Sequence, residues 1–339
     1  MTAETPLYPW LTEPWRTLGV HLESGRVPQA LLIHGPAGVG KALLAEAFAQ
    51  KLLCGQPAEF ACGQCPGCRL FLAGTHPDFI RVQPAEPGKA INVDAIRHLI
   101  AGLALKSQYS GYRVVIVAPA HQMNLNASNA LLKTLEEPAE RTIMLLLTES
   151  PSALPATILS RCQKLPVPMP NREAVHGWLE KECPGAAADV LLAAAEGSPL
   201  KALALAGSEV VDRRRAVFAE CAGLLRGQLD PVAVAERWQG EPHEQHIDWM
   251  ISWAADLARM SSAGDECPLR NPDLRGELQV LAYRLDLYNL FEHWSLLLKT
   301  RRSLGGQLNR QLLLEELLIH WSGLGSPRKR RIGNAHEYC

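Results

Sequence analysis

The sequence lacks any apolar run that could cross a membrane. No uninterrupted apolar stretch in the 339 residues reaches the roughly 18 residues at which a membrane helix becomes a candidate. The segment Met1–Trp10 also lacks a basic region followed by an apolar run, which is the pattern of a secretory signal peptide. We therefore expect a cytoplasmic protein with no membrane partner.

The sequence also lacks an excess of charge of either sign. Lys and Arg total 34, Asp and Glu total 35, and the formal net charge is -1. Nonspecific affinity for nucleic acid comes mainly from Lys and Arg that neutralise phosphates, so this balance excludes a free-standing nucleic-acid binder. With 47% hydrophobic residues, a chain of this length is expected to form two or three domains, each with its own core.

A disulfide framework is not expected either. The nine cysteines are an odd number, and a clustered set in a chain without an export signal indicates a metal site in a reducing compartment. The cluster has the spacing C-x7-C-x2-C-x2-C and consists of Cys54, Cys62, Cys65 and Cys68. Four soft ligands in a closed tetrahedral array are typical of structural Zn²⁺, which would leave no open position for catalysis.

Two other interpretations of the cysteine cluster stay open at this point. An iron–sulfur cluster is one, because C-x2-C-x2-C also begins the bacterial ferredoxin pattern. That pattern needs a further cysteine followed by proline, and Leu72 and Ala73 stand there instead. Four free thiols are the other alternative.

Alternating strands and helices in the first half predict a parallel sheet covered by helices on both faces. Apolar or β-branched runs predict buried strands, and a spacing of three and four residues between apolar positions predicts helices. The predicted strands are Ala30–His34, Asp78–Val82, Val114–Val117 and Thr142–Thr148, and the predicted helices are Ala42–Leu53, Val93–Leu105, Asn124–Leu135 and Ser152–Leu159.

The first predicted strand runs directly into a phosphate-binding pattern. The segment Gly35-Pro36-Ala37-Gly38-Val39-Gly40-Lys41 separates this strand from a helix. In a P-loop of this form the backbone amides cradle phosphates and the lysine reaches them. We therefore take Gly35, Gly38, Gly40 and Lys41 as the candidate nucleotide-binding residues.

Two groups that would hold Mg²⁺ are missing from this pattern. The position after the lysine should be Ser or Thr, whose hydroxyl is a metal ligand, and here it is Ala42. The second ligand should be an Asp at the end of a later buried strand, but no Asp or Glu occurs between Asp94 and Glu136. Phosphoryl transfer depends on positioning and on neutralising phosphate charge, so we expect no intrinsic ATPase and weak nucleotide binding or none.

The second half has a different composition. Pro166, Pro168 and Pro170 punctuate a linker, after which no strand is predicted. Residues 171–205 are predicted to form a small helical unit, and residues 213–324 are predicted to form helices with five of the eight tryptophans, which we expect in the core. The basic run at 328–331 is expected to be a solvated tail rather than a DNA site.

Several motifs resemble the delta-prime family of bacterial DNA polymerase III clamp-loader subunits. The resemblance covers about the first 210 residues well and the last third only in helical character. It rests on Tyr8-Pro9-Trp10-Leu11 with Gln29-Ala30-Leu31-Leu32, the cysteine cluster after the first P-loop helix, Ala73-Gly74-Thr75-His76-Pro77-Asp78, Asn129-Ala130-Leu131-Leu132-Lys133-Thr134-Leu135-Glu136-Glu137-Pro138, and Ser160-Arg161-Cys162.

The resemblance implies an α/β P-loop fold of the RecA-like AAA+ type and a three-domain organisation. The AAA+ domain with its zinc module would span 1–168, a helical lid 169–208, an all-α collar 209–325 and a tail 326–339. It further implies that Arg161 is an arginine finger that acts on a neighbouring ATPase subunit. Leu200 stands where hydrolysing relatives carry a nucleotide-sensing arginine, in agreement with the missing Mg²⁺ ligands.

The resemblance also implies partners and a function. The expected partners are the gamma/tau and delta clamp-loader subunits and, through the complex, the sliding clamp and primer–template DNA. The expected function is that of a non-hydrolysing subunit that helps to load the clamp. An active gamma/tau-like ATPase is the alternative, and a zinc-dependent DNA-binding regulator would need a concentrated basic face that the sequence does not display.

Overall fold

The protein, described from a computed structural model, divides into two compact units, Met1–Val175 and His176–Cys339. The structure describes residues 7–86, 88–103, 111–240, 242–304 and 309–325. The basic run at 328–331 and the tail predicted at 326–339 lie outside the described residues, as does the end of the helix predicted to reach Leu105.

The first unit is built on a five-stranded sheet in the order β2-β3-β4-β1-β5, in which all pairings are parallel. Its inner strands are apolar runs that are buried on both faces, as expected for a parallel sheet covered by helices. The strands are β1 Ala30–His34, β2 Phe79–Val82, β3 Arg113–Val117, β4 Thr142–Thr148 and β5 Gln163–Pro166. The α/β fold predicted from the alternation is confirmed.

Helices cover both faces of this sheet and create a core on each side. The helices are α1 Thr12–Glu23, α2 Lys41–Leu53, α3 Pro66–Leu72, α4 Val93–Leu103, α5 Leu125–Glu136 and α6 Ala156–Leu159. Leu18 and Phe48 belong to the core that α1 and α2 form, whereas Ile96 and Leu131 belong to the core that α4 and α5 form.

Two features of the first unit differ from the sequence-based expectation. Strand β5 was not predicted, because it is short and three of its four residues are exposed, so it has no apolar run. The helix predicted at Ser152–Leu159 is instead a 3₁₀ turn at Pro151–Ala153 followed by α6. Pro155 separates the two pieces, since a proline has no N–H to continue the first turn.

The regular elements in the described residues of the second unit are all helices. Four of the five tryptophans predicted as core are fully buried, namely Trp238, Trp249, Trp253 and Trp321. The helices that follow α6 are α7 Arg172–Glu182, α8 Ala188–Ala194, α9 Pro199–Leu205, α10 Val210–Leu225, α11 Pro231–Gln239, α12 His243–Ala263, α13 Arg275–Ala282, α14 Leu287–Ser303 and α15 Arg310–Leu324. The division into a lid at 169–208 and a collar at 209–325 stays a prediction.

Within the described ranges, none of the helices has the length and apolar character that a membrane crossing requires.

A buried polar network ties α10 and α12 to the turn before α13. The side chain of Arg214 in α10 donates to Asp273 Oδ2 at 2.7 Å and to Asn271 Oδ1 at 2.6 Å. Asn271 Nδ2 in turn donates to Asp256 Oδ2 at 2.8 Å and to Ser252 Oγ at 2.6 Å, both on α12. Buried charges of this kind are stable only when they are paired and hydrogen-bonded.

Candidate functional site

The predicted phosphate loop lies between β1 and α2, as its sequence context indicates. Gly38 has φ 68° and Gly40 has φ 92°, a left-handed backbone that favours glycine. At Gly35 a Cβ atom would lie 1.9 Å from the carbonyl oxygen of Val167, so only glycine fits there. The three glycines are therefore required by the loop geometry.

The lysine of the loop is turned inward onto the loop itself. Lys41 is 7% exposed, and its Nζ donates to the carbonyl oxygens of Gly35 at 2.8 Å and Pro36 at 2.6 Å. Glu149 Oε1, just beyond β4, lies 4.0 Å from the same nitrogen. Burial lowers the pKa of Lys41, and the neighbouring carboxylate of Glu149 opposes that shift. The contact with Glu149 was not predicted, because no motif in the sequence links the two residues.

The segment that precedes α1 covers the loop. The indole Nε1 of Trp10 donates to Val39 O at 2.9 Å, and the rings of Tyr8 and Trp10 stack with centroids 5.2 Å apart. A Cβ atom added at Gly40 would lie 2.9 Å from Tyr8 Cδ2 and 3.2 Å from Leu11 Cδ1. The Tyr8-Pro9-Trp10-Leu11 motif does not by itself predict this contact with the loop.

The edge of the sheet beside the loop carries no carboxylate at the end of β3. That strand ends at Val117 and is followed by Ala118 and Pro119. His121 lies just beyond, and its Nδ1 is 3.2 Å from Oγ1 of Thr148 at the end of β4. Where a hydrolysing P-loop enzyme would place a metal-binding Asp, this chain places a backbone turn.

Positive charges lie near His34 at this edge of the sheet, and the carboxylate of Glu149 lies 4.0 Å from one of them, Lys41. Burial lowers the pKa of His34 at the end of β1, and the charges of Lys164 and Lys41 lower it further. The amino group of Lys41 is engaged by backbone carbonyls. The described residues therefore keep the glycines and the lysine of a phosphate loop, with no Mg²⁺-binding side chain at Ala42 or directly after β3.

The four clustered cysteines meet at one point. Their Sγ atoms all lie within 4.8 Å of one another, and two of the separations, Cys62–Cys68 and Cys65–Cys54, are 3.9 Å. A tetrahedral metal with bonds of about 2.3 Å to sulfur requires sulfur atoms roughly 3.8 Å apart. The four thiols therefore fit a tetrahedral metal ion, and the cluster predicted from spacing is confirmed as a group.

Backbone amides point at the sulfur atoms of this cluster. The amide of Cys65 donates to Cys62 Sγ at 3.3 Å, and the amide of Cys68 donates to Cys65 Sγ at 3.4 Å. The amides of Gln64 and Cys65 together lower the pKa of Cys62 to about 6. Burial raises the pKa of Cys68. Such N–H···S contacts are what a thiolate ligand set requires.

The candidate arginine finger lies on a turn after α6. Arg161 Nε donates to Glu136 Oε1 at 2.8 Å, and Nη2 contacts the same oxygen. Nη1 donates to Thr157 O at 2.9 Å and to Ser160 Oγ at 3.3 Å. Glu136 is the last residue of α5, and its contact with Arg161 was not predicted from the sequence.

One further predicted site position lies in the second unit. Leu200 belongs to α9 and has a purely apolar side chain, so it cannot pair with a nucleotide phosphate.

Comparison with known proteins identifies the family. Residues 11–171 match the family model described as DNA polymerase III, delta subunit, and residues 208–323 match a second model that describes the C-terminal part of the same family. The DNA polymerase III subunit delta′ of Pseudomonas aeruginosa is 38% identical over 327 residues, covering 95% of this chain and 99% of the relative. The subunit delta′ of Escherichia coli K12 is 32% identical over 319 residues, covering 92% and 94%.

A solved structure of a DNA polymerase III gamma subunit-related protein from Thermotoga maritima covers 92% of this chain and 100% of its own, with 18% identity and a TM-score of 0.46. The family assignment rests on the sequence relatives, whose matches run over nearly the whole chain. The chain belongs to the delta-prime family of DNA polymerase III subunits.

Proposed function

We propose that this chain is a non-hydrolysing AAA+ subunit of the DNA polymerase III clamp loader. In this role it assembles with gamma/tau and delta subunits and helps to load the sliding clamp onto primer–template DNA. The observation that carries the proposal is a P-loop that keeps its glycines and Lys41 but has Ala42 and the Ala118-Pro119 turn at the two Mg²⁺ positions. Such a loop is expected in a subunit that retains the P-loop fold but does not hydrolyse ATP.

Nucleotide binding by the loop is expected to be weak. A phosphate would have to draw the Lys41 ammonium away from two backbone carbonyls 2.8 and 2.6 Å from it. Without Mg²⁺ to neutralise the triphosphate, little energy is gained in return.

The four cysteines suit structural Zn²⁺. Zinc prefers four thiolates in a closed tetrahedron and has no redox chemistry of its own, so its contribution would be to fold the segment between α2 and α3. Cys54, Cys62, Cys65 and Cys68 would each supply one sulfur, and no residue of this cluster is assigned a catalytic role.

Arg161 is proposed as an arginine finger that acts in trans. Its side chain is 33% exposed, so it is accessible to a neighbour in the ring. A guanidinium carries a permanent charge and a planar fork that matches phosphate oxygens. In well-studied systems a finger contributes on the order of 10³–10⁵ in rate, because it stabilises the negative charge spread over the transferred phosphoryl group.

Helix α14 offers a surface for assembly. Its buried face contains Leu290, His293 and Leu297. Tyr288, Phe291 and Leu298 lie on the opposite face and are 62%, 46% and 42% exposed. These three side chains lie among the exposed Glu292, Ser295 and Lys299, so α14 can pack against its own domain with its buried face and offer apolar contacts to a partner with the other. The partner we propose is the collar of a neighbouring clamp-loader subunit.

The assembly surface is tested by co-purification with gamma/tau and delta subunits. Phe291→Asp places a charge in the exposed apolar stripe and should reduce recovery of the complex at unchanged thermal stability. Arg215→Glu, a charge change at an exposed position of α10, is the control and should assemble normally. Wild-type recovery with Phe291→Asp would show that this face is not the interface.

The finger is tested in a reconstituted loader. Arg161→Ala should lower the ATPase rate stimulated by clamp and DNA while the subunits still associate. Arg161→Lys should also be impaired, since one ammonium cannot reproduce a two-pronged contact. Arg16→Ala changes an exposed arginine on α1 and should behave as wild type. Full stimulated activity of an intact Arg161→Ala complex would exclude the finger.

The alternative function is an active gamma/tau-like ATPase. The intact Gly40–Lys41 pair favours it, and the missing Mg²⁺ ligands oppose it. Turnover by the isolated chain that disappears in Lys41→Ala would decide for this alternative.

A further inference from the structure

Both edges of the Arg161 guanidinium are engaged within the chain. Glu136 Oε1 accepts from Nε and Nη2, whereas Nη1 is held by Thr157 O and Ser160 Oγ. Recognition of a phosphate by arginine uses two parallel N–H donors from one edge. Arg161 therefore cannot present a complete fork to a neighbour until one of these contacts breaks.

Glu136 is poorly placed for the stability of its own helix. It is the last residue of α5, where the partial negative charge of the helix C-terminus disfavours a carboxylate. Asn124 caps the other end of the helix by accepting from the amide of Ala127 at 2.8 Å, so α5 does not depend on Glu136 for its start. The contact that accounts for a carboxylate at this position is the one with Arg161.

The contact between Glu136 and Arg161 is of a kind that is easily exchanged. The two side chains are 48% and 33% exposed, and ion pairs with this exposure are weak because water and salt compete for both charges. A nucleotide γ-phosphate carries more negative charge than a carboxylate and can accept two parallel donors. It would replace Glu136 once it is brought within reach.

We propose that Glu136 is a positioning residue that holds Arg161 in a retracted orientation, hydrogen-bonded within its own chain, and releases it when a neighbouring subunit presents its nucleotide. This inference rests on the proposed role of Arg161 as a finger. Its consequence is that the contact restrains the neighbour's hydrolysis in the absence of clamp and DNA. When the ring closes on its substrates, the phosphate takes the place of the carboxylate.

The test is the steady-state ATPase of the reconstituted loader, measured with and without clamp and primed DNA. Glu136→Gln keeps the shape and one acceptor oxygen but removes the charge. We expect kcat of the unstimulated reaction to rise about two- to fivefold at unchanged KM, because an exposed ion pair is worth up to about 1 kcal/mol, or about fivefold. The stimulated rate should stay at the wild-type value.

Two further variants make the result specific. Glu140→Gln removes an exposed carboxylate in the turn that follows α5 and should leave both rates unchanged. The double variant Glu136→Gln/Arg161→Ala should be as slow as Arg161→Ala alone, since the gain depends on a released arginine. A purely structural role of Glu136 would lower both rates instead, along with thermal stability.

Three results overturn the proposal. If the unstimulated rate stays the same or falls in Glu136→Gln while Arg161→Ala is impaired, Glu136 does not hold Arg161 in the retracted orientation, but the proposed finger role of Arg161 stands. An equal rise of the unstimulated ATPase rate in Glu140→Gln would show that the rise in Glu136→Gln comes from the lost surface charge and not from the release of Arg161. Wild-type activity of Arg161→Ala in an assembled complex refutes the finger itself and, with it, this inference.

Discussion

Replacement of Cys65 by serine tests the proposed Zn²⁺ site at the cysteine cluster. Cys65 is also the N-cap of α3, where its sulfur accepts from the amide of Cys68. Serine is among the preferred N-cap residues, so Cys65→Ser keeps the cap and removes one of the four proposed zinc ligands. Any loss of stability then reports on the metal.

The magnitude follows from how the cluster segment packs onto the first unit. Two aromatic contacts join them, Trp15 with Phe60 and Phe71 with Phe79, each with ring centroids 4.7 Å apart. Pairs of this kind contribute about 0.5–1.5 kcal/mol beyond simple burial, so losing both costs about 1–3 kcal/mol. For a unit of this size each kcal/mol lowers Tm by about 2–4 °C, which gives a decrease of roughly 2–12 °C.

The assay combines metal analysis with thermal unfolding. The wild-type chain should contain one zinc per molecule, and Cys65→Ser should contain none and unfold at a lower temperature. Cys183→Ser, a partly exposed cysteine outside the cluster, should match the wild type in both measurements. A wild-type protein without zinc, or a Cys65→Ser variant with an unchanged Tm, would refute the reasoning.

Three other predictions concern the phosphate loop, pH and the buried ion pair. Ala42→Thr should not create ATPase activity in the isolated chain, because the metal ligand after β3 would still be missing; measurable turnover would contradict this. Burial lowers the pKa of His293 to about 3. His293 therefore takes up a proton in the unfolded chain but not in the folded one as the pH falls, so the free energy of unfolding should decrease below about pH 6.5. The difference between the urea midpoints at pH 7 and pH 5 should be smaller in His293→Gln than in the wild type. Asp273→Asn leaves the charge of Arg214 buried without its ionic partner and should cost about 3–5 kcal/mol in the free energy of unfolding, and a loss below about 1 kcal/mol would show that water reaches the site.

Local sequence patterns predicted the buried strands and the cysteine cluster, whose structure depends on residues close together in the sequence. Strands β1, β3 and β4 are continuous apolar runs, and burial on both faces of a parallel sheet requires such runs. The cysteine cluster was found for a similar reason, because four ligands within fifteen residues can meet only by local folding. Strand β5 was missed, since an exposed edge strand needs no apolar pattern.

Contacts between distant segments could not be predicted in this way. The pairing of Lys41 with Glu149 and of Arg161 with Glu136 joins residues far apart in sequence. A charged residue on its own does not indicate which opposite charge it will meet. The position of Glu136 at the end of α5 does indicate that a cation lies nearby, because a carboxylate at a helix C-terminus is unfavourable unless a positive charge compensates it.

The most direct test of the central claim is one ATPase assay applied to the isolated chain and to the reconstituted loader. We expect no turnover by the chain alone. In the complex with gamma/tau and delta subunits, we expect ATPase stimulated by clamp and DNA that falls when this chain carries Arg161→Ala, with assembly intact. Turnover by the isolated chain that depends on Lys41, or a loader whose stimulated rate is indifferent to Arg161, would contradict the account.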